Sequence, residues 1–329
     1  MSKERDTLRH AIRAYAWIAG GVLLLVISPA HANHLEFNTP GLSIESYEPN
    51  TFGFTKDSDD VAFLDFTISV KYQIFPVEIR KRFGKTEQLY AAFTGRFGQY
   101  LGTRDSSPVI GKEFNPKLIW RHITDWDRGH IPSDKEGATD KGIAKEYMEF
   151  ILAHDSNGQS INTPEQFQQA QAQAERPEFA FDRISRGWDY LGFIWKKVPY
   201  VDEHRRFSAY LNLKYFLPHG PFQGAPEEFN TWETDPEGKP RKSVNGVGGI
   251  LKYQWDWKSE RWFSDPKVAL IYETGYGNIF KYNTVRLEAG IKVSRLPLTI
   301  WTRQGYGSDL AQYYKKVSSY GIDLEIGSF

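Results

Sequence analysis

Beyond its first 32 residues, the chain is dominated by short stretches in which apolar and polar residues alternate. In the clearest stretch, 63–75, every second residue from Leu64 to Tyr72 is apolar, and Asp, Thr, Ser and Lys stand between them. Strict alternation over this length predicts a β-strand between two unlike environments. Ten further stretches show a noisier form of the pattern and are also predicted as strands: 88–101, 116–123, 146–154, 188–196, 207–216, 246–257, 267–276, 285–294, 298–305 and 318–329.

These strands, with little helical periodicity, predict an all-β fold, and two observations favour a transmembrane antiparallel β-barrel. The mean hydropathy of −0.53 excludes a helical membrane protein, which needs several apolar runs of about 20 residues. Barrel strands alternate and therefore average out as hydrophilic. The aromatic content of 15% suits the aromatic girdles of such a barrel. Single-chain bacterial barrels have even strand counts, so an even number of strands is expected here.

The connections between the predicted strands differ in length. Three of them, 125–142, 161–184 and 222–241, are long and polar, which is typical of the outer loops of a barrel. The short turn 294–297 suits the periplasmic side. The Gln/Ala-rich run 166–174 shows the one helical tendency in the mature chain.

The N-terminus predicts export. Four basic residues precede the apolar run 14–27, and an Ala-x-Ala cleavage pattern ends at Ala32. This anatomy predicts a secretory signal peptide over 1–32. A single membrane anchor is the alternative, although the run is short for a span. The remainder is divided into an N-terminal segment, 33–59, and one barrel domain, 60–329.

Composition excludes several functional classes. The chain has no cysteine, which excludes a disulfide framework and a thiolate zinc site. The 41 basic and 41 acidic residues leave no electrostatic footprint for nucleic acid.

The candidate chemistry lies in the stretch 154–160, which reads HDSNGQS. His154 and Ser156 are two residues apart, so on a strand they point to the same face. Apolar residues from Met148 to Leu152 share that face, which is therefore predicted to face lipid. A serine hydroxyl becomes a usable nucleophile when an imidazole takes its proton and a third polar group orients the imidazole.

The next predicted strand supplies the third group. Asp189 shares its face with Leu191 and Phe193, which is again the apolar face. If this strand pairs with 146–154 as a hairpin, Asp189 comes beside His154 near one membrane boundary. An acid, an imidazole and a hydroxyl on a lipid-facing surface suggest an esterase with a lipid substrate. The alternative is an ordinary polar cluster at the ends of two strands.

The sequence also resembles the outer-membrane phospholipase A family of Gram-negative β-barrel phospholipases. The resemblance covers 60–329 with insertions. It implies a twelve-stranded barrel in the outer membrane that hydrolyses acyl ester bonds of membrane phospholipids and lysophospholipids, with its site toward the outer leaflet. The motifs that carry the resemblance are HDSNGQS (154–160), SRGWDYL (185–191), SSP (106–108), ETGYG (273–277) and QGYGSDLAQYY (304–314).

Carried over by position, Ser156 is the nucleophile and His154 the general base. The asparagine that orients the histidine in the family falls on Asp189. An aspartate can hold the same imidazole nitrogen, as in the Ser-His-Asp triad. Two interpretations follow: an active variant with an acidic orienter, or a site under relaxed constraint.

The resemblance further implies dependence on Ca²⁺ and activation as a homodimer. Backbone carbonyls of Gln159 and Ser185 in one subunit and the Ser106 hydroxyl of the other would hold the ion, because Ca²⁺ prefers oxygen ligands. Two departures bear on this. The insert 161–184 separates the two carbonyl positions, and the interface glutamine of the family falls near Gly95. A non-catalytic barrel (a porin or structural protein) and a lipid A deacylase remain the alternative functions.

Overall fold

The computed structural model describes most of the predicted barrel. Two sequence predictions lie outside the described residues, namely the signal peptide over 1–32 and the ligand position Ser106. The described ranges are 44–74, 86–102, 111–127, 143–174, 177–201, 205–217, 220–222, 247–257, 263–275, 280–294, 296–306 and 315–326.

The strands form one antiparallel sheet that closes on itself. Strands β2 to β13 each pair with the next one, and β13 pairs with β2, so the barrel has twelve strands, as the resemblance implied. The short strand β1 pairs with residues 70–72 of β3, beyond the part of β3 that pairs with β2. The strands are β1 (Ile44–Ser46), β2 (Thr51–Asp57), β3 (Ala62–Gln73), β4 (Thr86–Tyr100), β5 (Gly111–Asp127), β6 (Ile143–Ser156), β7 (Gly187–Val201), β8 (Arg205–Phe216), β9 (Val247–Trp257), β10 (Phe263–Gly275), β11 (Asn283–Val293), β12 (Leu296–Gly305) and β13 (Val317–Glu325).

Strand β2 is the one barrel strand that the alternation pattern did not predict. It has only seven residues, and its outward apolar positions are Phe52 and Phe54. Between them stands Gly53, where a Cβ would lie 2.2 Å from Asp323 Oδ1. Since β2 falls within the range 33–59, the closed sheet starts at Thr51 and not at residue 60.

The two faces of the wall differ as the alternation in β3 predicted. Ile68 is 40% exposed on the outside, whereas Ser69 is fully buried on the inside. An apolar outer face and a polar interior are the arrangement that a barrel in a bilayer requires. Large apolar side chains exposed on the outer face include Phe52, Leu118, Trp120, Phe150, Leu191, Leu213, Tyr215, Leu270, Leu287 and Ile300.

The segment between β1 and β2 lies against the inner face of β4 to β6. Tyr47 Oη donates to Glu149 Oε2 at 2.8 Å. Glu48 forms ion pairs with Arg96 of β4 at 3.0 Å and with Lys117 of β5 at 3.2 Å. Side-chain contacts therefore cross the barrel interior next to β4, β5 and β6.

One prediction about the connections is wrong. Connections in an antiparallel barrel alternate between its two ends, so the β5–β6 connection leaves the end that also carries the short β11–β12 turn. The β6–β7 and β8–β9 connections leave the opposite end. The range 125–142 therefore does not share an end with 161–184 and 222–241, although its polar composition resembles theirs.

The β6–β7 connection carries the helical structure. Helix α1 (Pro164–Gln173), which coincides with the Gln/Ala-rich run, begins at the N-cap Thr163, whose hydroxyl accepts from Gln166 N at 3.3 Å. A 3₁₀ helix follows over Pro177–Arg183. Within the described ranges, no helix is long and apolar enough to cross a membrane.

Candidate active site

The outer face of β6 leads from apolar residues to the two predicted catalytic side chains. Phe150 is 46% exposed on this face, and Leu152, His154 and Ser156 follow it at the same parity. Strand β6 ends at Ser156. The structure therefore places His154 and Ser156 together on the outside of the barrel, at the end of the apolar stripe.

Strand β7 brings Asp189 directly opposite His154. The register pairs His154 with Asp189, and His154 Nδ1 lies 2.7 Å from Asp189 Oδ1. An Nδ1–H that donates to the carboxylate leaves the lone pair on Nε2, so Nε2 can accept a proton. The hairpin that the sequence suggested is thus present, and it gives the imidazole the tautomer of a general base.

Ser156 is the next outward residue after His154, at a spacing of about 6–7 Å along a strand. Among the described contacts, none joins Ser156 Oγ to the His154 ring. Catalytic hydrogen bonds are often long in structures without substrate and tighten when substrate is bound. The structure therefore contains the Asp189–His154 pair, with the hydroxyl of Ser156 adjacent to it.

A short segment after β8 covers the carboxylate of Asp189. Leu217 N donates to the Asp189 carbonyl at 2.9 Å, and Phe222 N donates to Asp189 Oδ2 at 2.6 Å. Asp189 is therefore fully buried, although its strand position faces outward. Sequence reasoning missed this cover because nothing in the alternation pattern links 217–222 to β7.

Asn157 is a second residue that sequence reasoning missed. It is fully buried, and its backbone N–H donates to Arg186 O at 2.9 Å. Its side-chain Oδ1 accepts from Arg186 N at 2.8 Å, while Nδ2 donates to Ile184 O at 2.9 Å. These bonds fasten the end of β6 to the start of β7. An Asn-Gly pair after a strand is a turn signal that could have identified this role.

Gly158 completes the turn. Its φ of +56° is a left-handed conformation, which glycine adopts at little cost. A Cβ there would lie 3.2 Å from Phe114 Cε2 of the neighbouring strand. The HDSNG motif therefore combines an outward His and Ser with the two residues that turn the chain behind them.

Arg186 of the SRGWDYL motif (185–191) has a structural role. It is fully buried, its Nη2 donates to Phe181 O at 3.0 Å, and its guanidinium lies 4.9 Å from the Phe181 ring centroid. It thereby holds the 3₁₀ helix against the base of the β6–β7 connection.

Two of the predicted calcium-ligand positions, Gln159 and Ser185, lie in the described residues and flank the insert, and the structure brings the ends of the insert together. Ile161 N donates to Arg183 O at 3.1 Å, and Ser185 N donates to Ile161 O at 2.8 Å. Gln159 and Ser185 therefore stay on either side of a closed connection, and the inserted residues do not hold them apart. Within the described residues, no group of three or more His, Cys, Asp or Glu side chains could hold a metal ion. Backbone carbonyls such as those of Gln159 and Ser185 are suitable donors for a hard cation.

The site lies at one boundary of the apolar band. At the other end of the same outer face, Glu146 accepts from Trp195 Nε1 at 3.0 Å and from Lys197 Nζ at 3.4 Å. Glu146 and His154 are eight residues apart, which is about 26 Å along the strand. At the usual strand tilt of 35–45° this length covers about 20 Å of barrel height, comparable to an apolar band of about 25 Å, so polar groups stand at both of its borders.

These features define a twelve-stranded barrel of the outer-membrane type with a Ser, His and Asp on its outer wall. Solved structures of outer membrane phospholipase A share this fold. The Escherichia coli protein matches with a TM-score of 0.53 and 15% identity over 90% of this chain and 94% of its own. A structure of that protein in which an active-site asparagine is replaced by alanine matches with a TM-score of 0.54 and 15% identity, over 90% and 93% of the two chains.

The Salmonella typhi phospholipase, a dimer with bound calcium, matches with a TM-score of 0.52 and 15% identity over 89% of this chain and 94% of its own. No sequence-family profile matches the chain. No curated protein matches it at the sequence level either. The chain has the fold of outer membrane phospholipase A, with a sequence that has diverged far from these structures.

Proposed function

We propose that the protein is a serine hydrolase of the outer membrane that cleaves acyl ester bonds of phospholipids. The observation that carries this proposal is the 2.7 Å contact between His154 Nδ1 and Asp189 Oδ1 on the outer wall, next to the hydroxyl of Ser156. Diffusion through a porin does not require such a pair on the lipid-facing surface, where polar groups are energetically costly.

In the proposed reaction, Ser156 Oγ attacks the ester carbonyl while His154 Nε2 takes its proton. Asp189 keeps the imidazole in the required tautomer and stabilises the imidazolium. His154 then returns the proton to the leaving alkoxide, and an acyl-enzyme remains. A water molecule, deprotonated by His154, hydrolyses the acyl-enzyme and frees Ser156.

The position of the site favours a membrane lipid as substrate. Ser156 and His154 stand where the apolar band ends, so the ester of a bilayer lipid lies near their depth while its acyl chains lie along Leu152 and Phe150. A substrate can reach this site by lateral diffusion without entering the barrel. The substrate class is therefore glycerophospholipids and lysophospholipids of the leaflet at this end.

Calcium and a second subunit belong to the same proposal. The carbonyls of Gln159 and Ser185 would contribute to a Ca²⁺ site, with the Ser106 hydroxyl of a second copy completing it. When bound, the ion would stabilise the negative charge that develops on the ester oxygen. The calcium-bound dimer of the Salmonella protein supports this proposal.

The test is fatty-acid release by the refolded protein from mixed micelles of phospholipid and detergent, with calcium and with a chelator. We expect release that needs calcium. We also expect the rate of release per protein molecule to rise with protein concentration as dimers form. Release that the chelator leaves unchanged would contradict the calcium role. The absence of release from well-folded protein would contradict the hydrolase and favour a non-catalytic barrel.

A further inference from the structure

The two oxygens of the Asp189 carboxylate receive different donors. His154 Nδ1–H lies at Oδ1, 2.7 Å away, and the backbone N–H of Phe222 lies at Oδ2, 2.6 Å away. An ionised carboxylate accepts at both oxygens, whereas a carboxamide accepts at one end and donates at the other. The environment of residue 189 therefore distinguishes aspartate from asparagine.

The fit over the carboxylate is close. A Cβ on Gly220 would lie 2.0 Å from Asp189 Oδ2 and 2.2 Å from Asp189 Cβ, so this position accepts only glycine without a shift of the segment. Leu217 N is bonded to the Asp189 carbonyl, which fixes the start of the same segment. Backbone N–H groups on both sides of Gly220, those of Leu217 and Phe222, are thus bonded to Asp189.

The geometry points to the Phe222 N–H as the positioning group that makes aspartate, and not asparagine, the required orienter of His154. The inference rests on the hydrolase function proposed above. It also gives a reason for the departure at 189: the acidic orienter fits a backbone donor that an asparagine could not satisfy together with the histidine.

An asparagine at 189 would have two arrangements, and both are unfavourable. With its oxygen toward His154, its amide NH₂ would meet the Phe222 N–H, and two donors would face each other in a buried site. With the amide reversed, its oxygen would satisfy Phe222, and its NH₂ would donate to His154 Nδ1. That arrangement moves the imidazole proton to Nε2, where a proton prevents His154 from acting as a base.

The experiment combines substitutions at 189 and 222 and measures fatty-acid release. Because the wrong tautomer costs about 10⁴-fold in the Ser-His-Asp template, we expect Asp189→Asn to lose at least about a thousandfold. Phe222→Pro removes the N–H and leaves residue 189 unchanged, and the ring CH₂ that replaces the hydrogen moves the segment away from residue 189. The double variant Asp189→Asn/Phe222→Pro should regain at least about tenfold over Asp189→Asn, since the amide can then turn its oxygen to His154.

The matched control is Asp189→Asn/Phe222→Ala, which keeps the backbone N–H and should regain nothing. Phe222→Ala alone is the reference for this control, because it keeps the N–H and removes a side chain that is 63% exposed. Folding of each variant is checked by the shift in gel mobility of the unheated barrel. An Asp189→Asn protein within about threefold of wild type, or equal recovery by the Pro and Ala double variants, would overturn the inference.

A second measurement is independent of catalysis and of the proline variant. Protein labelled with [¹⁵N]phenylalanine reports the exchange of the Phe222 amide proton in micelles. We expect slow exchange that accelerates at least about tenfold in Asp189→Ala, with the Phe193 amide of β7 unchanged as the control. Equal exchange rates in both proteins would overturn the inference. If wild-type protein releases no fatty acid, the hydrolase proposal fails, and this exchange measurement alone decides whether the amide holds the carboxylate.

Discussion

At the scale of single residues, the turn behind Ser156 depends on Asn157. Its buried amide accepts from Arg186 N and donates to Ile184 O, so its loss removes the acceptor of the Arg186 N–H and one of the two donors to the Ile184 carbonyl. We predict that Asn157→Ala lowers the free energy of unfolding by about 1–3 kcal/mol, the usual cost of leaving buried polar groups unsatisfied. The urea midpoint of the refolded barrel measures this.

The matched control is Asn162→Ala in the same connection. Asn162 is exposed and donates from Nδ2 to Ser160 O at 3.2 Å, so its removal should leave the midpoint within about 0.5 kcal/mol of wild type. Equal effects of the two substitutions would show that the buried bonds of Asn157 contribute no more than a surface contact.

Gly158 and Gly102 allow backbone strain to be separated from crowding. Both have positive φ, +56° and +70°, but an added Cβ would crowd Phe114 at 158 and meet nothing within 4 Å at 102. We predict that Gly102→Ala costs about 1–2 kcal/mol of unfolding free energy and Gly158→Ala more, since crowding is added to the strain. Urea unfolding compares the two variants, and a smaller loss at Gly158 would contradict the described fit against Phe114.

The sequence allowed part of this arrangement to be predicted. The outward direction of His154 and Ser156 follows from their spacing and from the apolar residues before them. The pairing with Asp189 follows from a hairpin between neighbouring strands. The contact between Phe222 and Asp189 joins residues 33 positions apart through backbone atoms, and backbone contacts leave no residue-type signal.

At the scale of elements, the inserted connection packs as a small unit on the end of the barrel. Phe181 and Ile184 of the insert cluster with Ile161 and with Tyr282, which precedes β11. The Phe181 ring also meets the Phe167 ring of α1 at 6.2 Å. The insert is therefore anchored by apolar contacts at its base.

We predict that Phe181→Ala loosens this unit without unfolding the barrel. Removal of a buried phenylalanine costs about 3–5 kcal/mol, so cleavage by proteinase K within 161–184 should speed up by at least about a hundredfold. Gln168→Ala on the exposed side of α1 is the control and should cleave like wild type. Unchanged cleavage of Phe181→Ala would mean that the cluster does not anchor the insert.

Strands with a long alternating stretch were predicted from the sequence. Strand β2 was not predicted, and its short sequence explains why. Strand β2 offers only Phe52 and Phe54 as an outward signal, with Gly53 between them. The end of the barrel at which each connection lies follows from strand order, not from composition. The polar connections 125–142 and 161–184 flank one strand, β6, so in an antiparallel barrel they lie at opposite ends although their compositions are alike.

At the scale of the whole molecule, charged side chains cross the interior of the β4–β8 half of the barrel. Glu149 pairs with Arg121 and accepts from Tyr47, and Lys214 of β8 lies 3.8 Å from Asp155 of β6. Such contacts leave less room for water and ions than the interior of a porin.

We predict that the refolded protein forms no stable porin-sized conductance in planar bilayers. A variant with Tyr47→Gly and Glu48→Gly removes the contacts of the segment between β1 and β2 and should show larger or more frequent openings. A large, steady conductance of the wild-type protein would favour the non-catalytic barrel over the hydrolase.

In the proposed hydrolase, Ser156 is the nucleophile that attacks lipid esters at the outer wall. The most direct test compares fatty-acid release by wild type, Ser156→Ala and Ser160→Ala in phospholipid micelles with calcium. Ser160 is an exposed serine of the same connection and serves as the matched control. We predict that Ser156→Ala loses at least about a thousandfold, as removal of a triad nucleophile does, and that Ser160→Ala keeps its activity. Release that survives in folded Ser156→Ala would contradict the role of Ser156 as nucleophile.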